Sequence, residues 1–355
     1  MAIEIPSQLE RNWDEPSTAD TLRFAVVGMG WFGREVGISA IEASEYCSLG
    51  AVVSGSRSKA KEVAAEHEAD VALTYDEFEE GDGTDAYDAV YIATPNARHL
   101  PFVEAAARHE KAVLCEKPLE ATADRAEQLV EAAEEADIPL MTAYRMQTTR
   151  SVRWIRELIR DGVIGDPVQV NGEFSFNILA GDGDPDQWRL SKELAGGGAL
   201  MDIGVYPMNT ARFVLDRDPE SVVGSWHATN PHYEAGVDEH VSFQLAFPDA
   251  ITASCSASFG ASGFSRFAVL GSEGRIVIEH PFGVDADRRL TVATGGEVTQ
   301  GVVEEPNEMN EEFDYFATKV LSDEPIRPDG RHGLLDVQIA EGVYESDRTG
   351  NRVTL

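Results

Sequence analysis

The chain has 355 residues, enough for two domains with a core each, and carries 63 acidic against 29 basic residues for a net charge of −34. The acidic residues are spread between ordinary apolar segments, and 43% of the chain is hydrophobic, which excludes a disordered acidic protein. Such a charge argues against nucleic acid or an anionic membrane as a partner. It suits a salt-rich cytoplasm. At molar ionic strength the electrostatic screening length is only about 3 Å, so the repulsion between the acidic residues is weak.

The cysteines and the first segment predict a cytoplasmic location. Cys47, Cys115 and Cys255 are odd in number and far apart, which argues against a disulfide framework. Residues 1–21 form an acidic, polar arm that resembles no export signal, and no apolar run is long enough to span a bilayer. We expect Trp13 to hold this arm against the body or against a neighbouring subunit.

The first predicted strand, Leu22 to Val27, leads directly into Gly28-Met29-Gly30-Trp31-Phe32-Gly33. Glycines at this spacing allow a tight turn and close approach of a pyrophosphate, and the next helix, about Trp31 to Ala43, points its amides at the phosphates. A lone glycine pattern also occurs in simple turns, but its position between strand and helix favours a dinucleotide site. Its predicted cofactor contacts are Gly28, Gly30, Trp31 and Phe32.

The second predicted strand, Leu49 to Val53, ends in a polar segment that bears on cofactor choice. NAD-binding chains place an acid about twenty residues past the glycines, for the ribose 2′-hydroxyl. This chain instead has Ser54, Ser56, Arg57 and Lys59 there. Serines and an arginine suit a 2′-phosphate, so we predict NADP rather than NAD, although Arg57 is also compatible with a surface residue that begins a helix.

Strands and helices continue to alternate up to residue 145. The next strands are predicted over 71–73, 89–93, 112–115 and 139–142, with helices over 59–67 and 122–136. The strand at 89–93 is followed by Thr94, Pro95, Asn96 and His99, which we assign to the cofactor, although His99 is equally compatible with a core histidine. Repeated βα units predict a Rossmann domain with a doubly wound parallel sheet over 22–145.

Glu116-Lys117-Pro118 follows the strand of residues 112–115 and is the most informative tripeptide of this half. The carboxyl ends of strands in open α/β sheets are where ligands bind. Proline restricts the backbone of the preceding residue, so Lys117 is presented in a defined direction. A lysine held there is a candidate cation for a reacting oxygen. A surface lysine in a turn is the alternative.

The chain changes character after residue 145, and we assign 146–355 to a second, α+β domain. An amphipathic helix is predicted over 151–160 and helices near 308–321 and 333–346, with strands over 168–176, 221–229, 237–247, 251–258, 264–270 and 275–279. Alternating apolar and polar residues predict an open-faced, mostly antiparallel sheet with helices on one face. Acidic runs at 76–88 and 182–186 lack calcium-loop spacing, and no cluster suggests a metal site.

A second constellation lies at Gly196-Gly197-Gly198, Asp202 and Tyr206. Three glycines in a row predict a backbone that lies close to another element, either the other domain or the cofactor. Asp202 and Tyr206 are four residues apart and share one face of a helix, which Pro207 either kinks or begins. Taken singly, Asp202 is also compatible with a helix cap and Tyr206 with an ordinary buried tyrosine.

Together with Lys117, this constellation can oxidise an alcohol. A base must take the hydroxyl proton while hydride leaves the carbon for a nicotinamide ring. A tyrosine with the ordinary pKa of about 10 is a poor base near neutrality. A nearby ammonium group and an oxidised nicotinamide favour the phenolate. The hypothesis is that Tyr206 is the base, that Lys117 stabilises the alkoxide, and that Asp202 orients the sugar or the lysine.

The glycine turn, Glu116-Lys117-Pro118 and the segment with Asp202 and Tyr206 resemble the glucose–fructose oxidoreductase-like (Gfo/Idh/MocA) family of dehydrogenases. The resemblance covers the chain from Leu22 onward. Many members have histidine at the position of Tyr206, and the tyrosine is similar to the branch that includes aldose dehydrogenases and dimeric dihydrodiol dehydrogenase. Residues 184–190 and 201–209 resemble the haloarchaeal D-xylose dehydrogenases of that branch.

The resemblance implies oxidation of the anomeric C1 hydroxyl of D-xylose to its lactone with NADP, the first step of oxidative pentose degradation. It places Lys117, Tyr206 and Asp202 at the reaction and a homodimer or homotetramer at the C-terminal sheet. It further assigns two sets of flanking residues. Tyr144, Asn177 and Trp188 are expected at the sugar or the nicotinamide, and Arg145 and Arg189 near the cofactor phosphate or ribose.

Three alternatives remain open on the sequence alone. A glucose–fructose oxidoreductase that retains its cofactor and a trans-dihydrodiol dehydrogenase would use the same acid–base groups. A non-catalytic, NADP-binding regulator of a sugar pathway is built on the same fold, but it would not need Lys117 and Tyr206 together.

Overall fold

The computed structural model describes residues 4–13, 20–181, 183–283 and 287–355. The described residues form two compact units. The first unit comprises those of Trp13–Arg145 and Asn307–Val337, and the second comprises those of Met1–Asn12, Met146–Pro306 and Gln338–Leu355. The sequence-based boundary at 145/146 falls at one break between the units. Residues 307–337, which that division assigned to the second domain, pack within the first unit.

The first unit is built on a six-stranded parallel sheet of order β3-β2-β1-β4-β5-β6. Its strands are β1 (Leu22–Val27), β2 (Cys47–Ser54), β3 (Val71–Thr74), β4 (Ala89–Ile92), β5 (Ala112–Glu116) and β6 (Leu140–Ala143). This order, with β1 at the centre and a crossover between β3 and β4, places a ligand site beyond the carboxyl ends of β1 and β4. The predicted Rossmann domain is confirmed.

Helices connect these strands. A π-helical segment, Phe32–Ile38, continues into α1 (Ser39–Ala43), and the later helices are α2 (Arg57–Glu66), α3 (Tyr75–Glu80), α4 (His99–Arg108) and α5 (Ala123–Glu135). α2 and α5 begin at side-chain caps: Ser56 accepts from the amide of Lys59, and Thr122 accepts from that of Arg125. Such caps satisfy amides that have no partner inside the helix, so the sequence defines where these helices start.

The second unit contains a nine-stranded sheet of order β14-β13-β12-β11-β7-β10-β9-β8-β15. Its strands are β7 (Pro167–Ser175), β8 (Ser221–His227), β9 (His240–Ala246), β10 (Thr252–Ser258), β11 (Phe264–Gly271), β12 (Gly274–Glu279), β13 (Arg288–Thr294), β14 (Glu297–Val303) and β15 (Val353–Thr354). The β7–β10 pair is parallel and the other pairs are antiparallel. The predicted mostly antiparallel sheet is confirmed, and it is larger than predicted.

The remaining helices are α6 (Arg150–Arg160), α7 (Lys192–Ala195), a π-helical turn at Leu200–Gly204 that continues into α8 (Val205–Leu215), α9 (Glu308–Leu321) and α10 (Gly330–Thr349). α8 packs on β7 and β10 in the second unit. Within the described ranges, every helix is too short or too polar to cross a membrane.

The described parts of the N-terminal arm have partners on the body. In the second unit, the carbonyl of Ser7 accepts from the amide of Glu304 at 2.9 Å. In the first unit, the Trp13 ring packs edge-on against Tyr315, with 5.4 Å between ring centroids. Trp13 therefore packs on its own chain, one of the two alternatives that the sequence left open. Residues 1–3 and 14–19 of the predicted arm lie outside the described residues.

Candidate functional site

The glycine turn lies between β1 and the helix that starts at Phe32, as predicted. Gly28 has φ +104°, and a Cβ at this residue would lie 2.6 Å from the carbonyl oxygen of Ala93. A side chain is therefore excluded at Gly28 on two grounds. At Gly30 the position of a Cβ has open space within 4 Å among the described residues, so another molecule can approach this backbone. Trp31, beside it, has 70% of its surface exposed.

The polar segment after β2 lies at the carboxyl edge of the same sheet. Ser54 is buried, and its hydroxyl accepts from the amide of Ser56 at 3.3 Å. Ser56 caps α2 and lies 3.0 Å, oxygen to oxygen, from the hydroxyl of Ser58. The guanidinium of Arg57 pairs with Glu77, a residue that the sequence analysis did not consider. Hydroxyls, a guanidinium and the half-buried Lys59 at one sheet edge fit an adenosine ribose.

The segment after β4 contains a buried polar atom without a partner. The Thr94 hydroxyl is inaccessible to solvent and makes no hydrogen bond to any described residue. Burying a hydroxyl unpaired costs about 1–3 kcal/mol, so a group bound here would satisfy it. Pro95 is half-buried and Asn96 is buried beside it. Together with Gly28 and Gly30, this unpaired donor fits a dinucleotide at the carboxyl ends of β1 and β4.

His99 is the first residue of α4 and has no exposed surface. Its Nδ1 lies 3.0 Å from the carbonyl oxygen of Leu119, and its Nε2 lies 3.0 Å from that of Thr94. Burial lowers the pKa of His99, although the charge of Glu120 opposes this. The imidazole therefore joins the loop after β4 to the loop after β5. It holds these loops together rather than presenting a surface of its own.

Glu116 ends β5, Lys117 follows it directly, and the Lys117–Pro118 peptide bond is cis. The Glu116 carboxylate accepts from the Tyr91 hydroxyl at 2.7 Å and from the amide of Lys117 at 3.2 Å. Burial raises the pKa of Glu116, while the charge of Lys117 and the Tyr91 hydrogen bond lower it. Since two donors and a cation stabilise its charged form, we assign the negative charge at this site to Glu116.

A second acid, Glu312 of α9, lies near Glu116 and was not predicted. It is fully buried, and neither carboxyl oxygen has a hydrogen-bond partner among the described residues. Burial raises its pKa well above the usual range, and the charge of Glu116 raises it further; Arg145 and Lys117 act in the opposite direction. Arg145 is itself buried and forms an ion pair with Glu308. Burial and the charge of Glu116 therefore favour the neutral form of Glu312.

The neutral state of Glu312 makes stability depend on pH. An acid whose pKa is raised by folding contributes stability below its unfolded pKa of about 4.3, and this contribution is lost as the pH rises towards the folded pKa. Glu312→Gln removes this titration. We expect the variant to gain free energy of unfolding relative to the parent as the pH rises from about 4.5 to 9, as measured by urea denaturation in molar salt.

The control for this prediction is Glu127→Gln on the exposed surface of α5, which also removes one potential negative charge. The difference between Glu312→Gln and the parent should grow with pH, whereas the control should run parallel to the parent. A constant difference across the pH range would mean that Glu312 does not titrate in this window.

In the second unit, Asp202 and Tyr206 stand out by their exposure. Every other residue of 200–215 is buried, while these two are half-buried. They therefore share one accessible face, as predicted from their spacing. Pro207 is the third residue of α8 and follows the π-helical turn at Leu200–Gly204. The Tyr206 ring packs edge-on against Phe174, with centroids 5.5 Å apart, and also against the buried Phe282 at 5.8 Å.

Two of the three glycines before this helix, Gly197 and Gly198, pack against their own unit, whereas the sequence predicted the other domain or the cofactor. A Cβ at Gly197 would collide with the Tyr344 hydroxyl, and one at Gly198 would collide with the Asp238 carbonyl. The fully buried Asp238 accepts from the amides of Gly198 and Leu200, both at 2.7 Å, and from the Tyr344 hydroxyl at 2.6 Å. This network fixes the start of the helix that carries Asp202 and Tyr206.

The flanking residues that the resemblance assigns to substrate or cofactor make contacts with nearby residues of their own unit. Arg189 donates from Nε to Asp202 at 3.1 Å, and its guanidinium carbon lies 4.6 Å from the ring centroid of Trp188. Arg189 thus orients the Asp202 carboxylate. Asn177 is exposed, and its side-chain oxygen accepts from the amide of Leu179 at 3.0 Å. Tyr144 is 2% exposed and packs edge-on with His332 at 6.2 Å in the first unit.

Comparison with known families identifies both parts of the chain. Residues 22–144 match the model of the oxidoreductase family with an NAD-binding Rossmann fold, GFO/IDH/MocA, and residues 152–277 match the model of the GFO/IDH/MocA C-terminal domain. The chain belongs to the GFO/IDH/MocA oxidoreductase family. The resemblance inferred from the glycine turn, Glu116-Lys117-Pro118 and Tyr206 is confirmed, and so is the enzyme class.

Relatives of this GFO/IDH/MocA oxidoreductase include two haloarchaeal enzymes. It is 46% identical over 347 residues, 97% of this chain and 96% of the relative, to D-xylose 1-dehydrogenase [NADP(+)] of Haloarcula marismortui. It is also 31% identical to D-xylose 1-dehydrogenase (NADP(+)) 2 of Haloferax volcanii. That match covers 94% of this chain and 100% of the relative. A crystal structure of aldose-aldose oxidoreductase from Caulobacter crescentus, complexed with glycerol, is 30% identical; the match has a TM-score of 0.88 and covers 94% of this chain and 100% of that one.

Proposed function

We propose that this oxidoreductase is an NADP-dependent aldose dehydrogenase that oxidises the anomeric C1 hydroxyl of D-xylose to D-xylonolactone. The observation that carries the proposal is the 46% identity, over 97% of the chain, to the D-xylose 1-dehydrogenase of Haloarcula marismortui. The chemistry of the described residues supports it, because the chain presents a lysine at a strand end and a tyrosine beside a carboxylate. These are the groups that alcohol oxidation requires.

The proposed mechanism assigns one task to each of these residues. When bound, the oxidised nicotinamide would supply the acceptor for the hydride of C1. Tyr206 takes the proton of the C1 hydroxyl at its phenolic oxygen, which leaves a C1=O bond in the lactone. Lys117 donates a hydrogen bond to the same sugar oxygen and stabilises the negative charge that develops there. Asp202, oriented by Arg189, accepts from a sugar hydroxyl, and Glu116 balances the charge of Lys117.

The proposed cofactor contacts are all residues of the first unit. Gly28, Gly30, Trp31 and Phe32 would approach the pyrophosphate, with Thr94, Pro95 and Asn96 beside it. Ser54, Ser56, Arg57 and Lys59 would receive the 2′-phosphate. Arg145 would set the local charge near Lys117 from its pair with Glu308. Tyr144, Asn177 and Trp188 are proposed to contact the sugar.

The test is a kinetic comparison of substrates in molar salt, with NADP as the acceptor. We expect D-xylose to give the highest kcat/KM among xylose, glucose, arabinose and a trans-dihydrodiol, with a lactone as its product. Highest activity on the dihydrodiol would assign the chain to the other tyrosine-containing branch. Binding of NADP without turnover of any substrate would favour the non-catalytic regulator and would overturn the proposal.

We also propose that the protein is a cytoplasmic homodimer or homotetramer that pairs through the nine-stranded sheet. Large apolar side chains are exposed on its strands: Phe264 at 44%, Val298 at 58% and Val302 at 44%. Apolar surface of this kind is typical of sheet faces that are covered in an assembly. Sedimentation in molar salt tests this, and a monomer at micromolar concentration would contradict it.

A further inference from the structure

The ion pair between Arg57 and Glu77 lies at the carboxyl edge of β2 and β3. Ser54 on β2 is the register partner of Thr74 on β3, so the residues that follow these two strands emerge side by side. Arg57 begins α2, and Glu77 lies in α3, the helix that follows β3. Their head groups meet although the residues are twenty positions apart, 77 against 57.

Both side chains are held in place by further contacts. Arg57 donates from Nη1 to the carbonyl oxygen of Ala72 at 2.9 Å. Glu77 accepts from the amide of Thr74 at 2.8 Å and from its hydroxyl at 3.0 Å, while its own amide donates back to that hydroxyl, which forms a capping box. Both remain accessible, with 41% and 28% of their side-chain surfaces exposed. The pair is therefore a preorganised, half-exposed cation and anion.

This is the place where a dinucleotide fold distinguishes its two coenzymes. A carboxylate there accepts from the ribose 2′-hydroxyl of NAD, and an arginine there binds the 2′-phosphate of NADP. The segment after β2 contains no such acid between Ser54 and Lys59. The fold supplies one from the next βα unit, because Glu77 lies against Arg57. The edge thus presents both recognition groups at once.

We propose that Glu77 is a specificity-determining residue that admits NAD as a second coenzyme, by accepting from its ribose 2′-hydroxyl, and limits the preference for NADP. The proposal rests on the NADP-dependent function proposed above. An arginine has five N–H donors, so Arg57 can bind a 2′-phosphate while it remains paired. The negative charge of Glu77 then repels that phosphate. When the phosphate is absent, the same carboxylate accepts a hydrogen bond from the ribose 2′-hydroxyl.

Glu77→Gln tests the proposal with the capping box preserved, because glutamine also serves at this position of the motif. Binding is measured by calorimetry in molar salt for NADP, NAD, 2′,5′-ADP and AMP, of which the last two carry the ribose with and without the phosphate. We expect Glu77→Gln to bind NADP and 2′,5′-ADP about threefold to tenfold more tightly, and NAD and AMP more weakly by a similar factor.

Two further variants define the outcome. Asp76→Asn removes an exposed charge from the same helix turn and should leave the ratio of the NADP and NAD dissociation constants unchanged. Arg57→Met should weaken NADP and 2′,5′-ADP by about tenfold or more, with little effect on NAD. If Glu77→Gln instead weakens NADP as Arg57→Met does, or gives the same ratio as Asp76→Asn, the inference is wrong.

Failure of the proposed function would look different. If the parent binds none of the four probes, both the NADP-dependent function and the role of Glu77 are overturned. If the parent binds NADP and oxidises an aldose while the ratio is insensitive to Glu77, the function stands and only the role of Glu77 is overturned.

Discussion

Tyr206→Phe is expected to lower kcat for aldose oxidation by about 10²–10⁴-fold, the usual contribution of a general base. The substitution removes one oxygen and keeps the ring, so the edge-on packing against Phe174 and Phe282 is retained. The dissociation constant for NADP should change little, because the proposed cofactor contacts are all on other residues. Steady-state kinetics with D-xylose in molar salt, together with NADP binding by calorimetry, measures both quantities.

Tyr233→Phe is the matched control for this prediction. Tyr233 is a tyrosine of the same unit, 8% exposed, whose hydroxyl donates to the carbonyl of Phe259 at 3.4 Å. Its variant should keep kcat within about twofold, since most substitutions away from a reacting group cost little transition-state energy. If Tyr206→Phe were as active as Tyr233→Phe, the base would have to be another group and the proposed mechanism would be wrong.

The regular elements of the first unit could be predicted because several local signals agree. The strand at Leu22–Val27 is apolar at every position except Arg23, ends at a glycine turn and was predicted at its observed bounds. α3 was missed, although Thr74 and Glu77 form a capping box that is visible in the sequence. Its acidic residues were considered only as a calcium loop, whose ligand spacing they lack. The helix brings Glu77 to Arg57, so this omission also hid the proposed determinant of coenzyme choice.

The hairpin of β13 and β14 was the largest omission in the second unit. Gly295 and Gly296 form the turn between the two strands, with φ +58° and +83°. Two glycines between runs of β-branched residues are typical of a two-residue hairpin. The signal was therefore present. It was weaker than in the neighbouring strands because Glu297–Val303 is largely exposed and lacks a regular buried face.

Candidate site residues could be predicted where a single short motif contains the chemistry. They could not be predicted where the role of a residue depends on segments that are far apart in the sequence. Lys117, Asp202 and Tyr206 were proposed from short patterns. Glu312 and Asp238 were not, because their roles depend on contacts with residues far away along the chain. A signal for Glu312 did exist. It lies three residues after Met309 and four before Phe316, both buried, so an acid occupies the apolar face of α9.

Phe313→Ala is expected to lower the free energy of unfolding by about 3–5 kcal/mol, the usual cost of removing a buried phenyl ring. Phe313 is 0% exposed, and its ring lies 5.2 Å from that of Phe24 on β1 and 4.9 Å from that of Tyr91 on β4. It therefore packs against two central strands of the parallel sheet. Since whole domains are stable by only about 5–15 kcal/mol, this single change removes a large share of the total.

The substitution also tests whether residues 307–337 fold with the first unit, as their packing indicates. Urea denaturation in molar salt measures the stability, with Leu355→Ala as the control, because Leu355 is an apolar residue of the second unit that is 38% exposed. Tyr91 donates to Glu116, so the cavity left by Phe313 should also loosen the segment before Lys117 and weaken NADP binding. A stability loss near that of Leu355→Ala, with NADP binding intact, would mean that α9 contributes little to the nucleotide-binding unit.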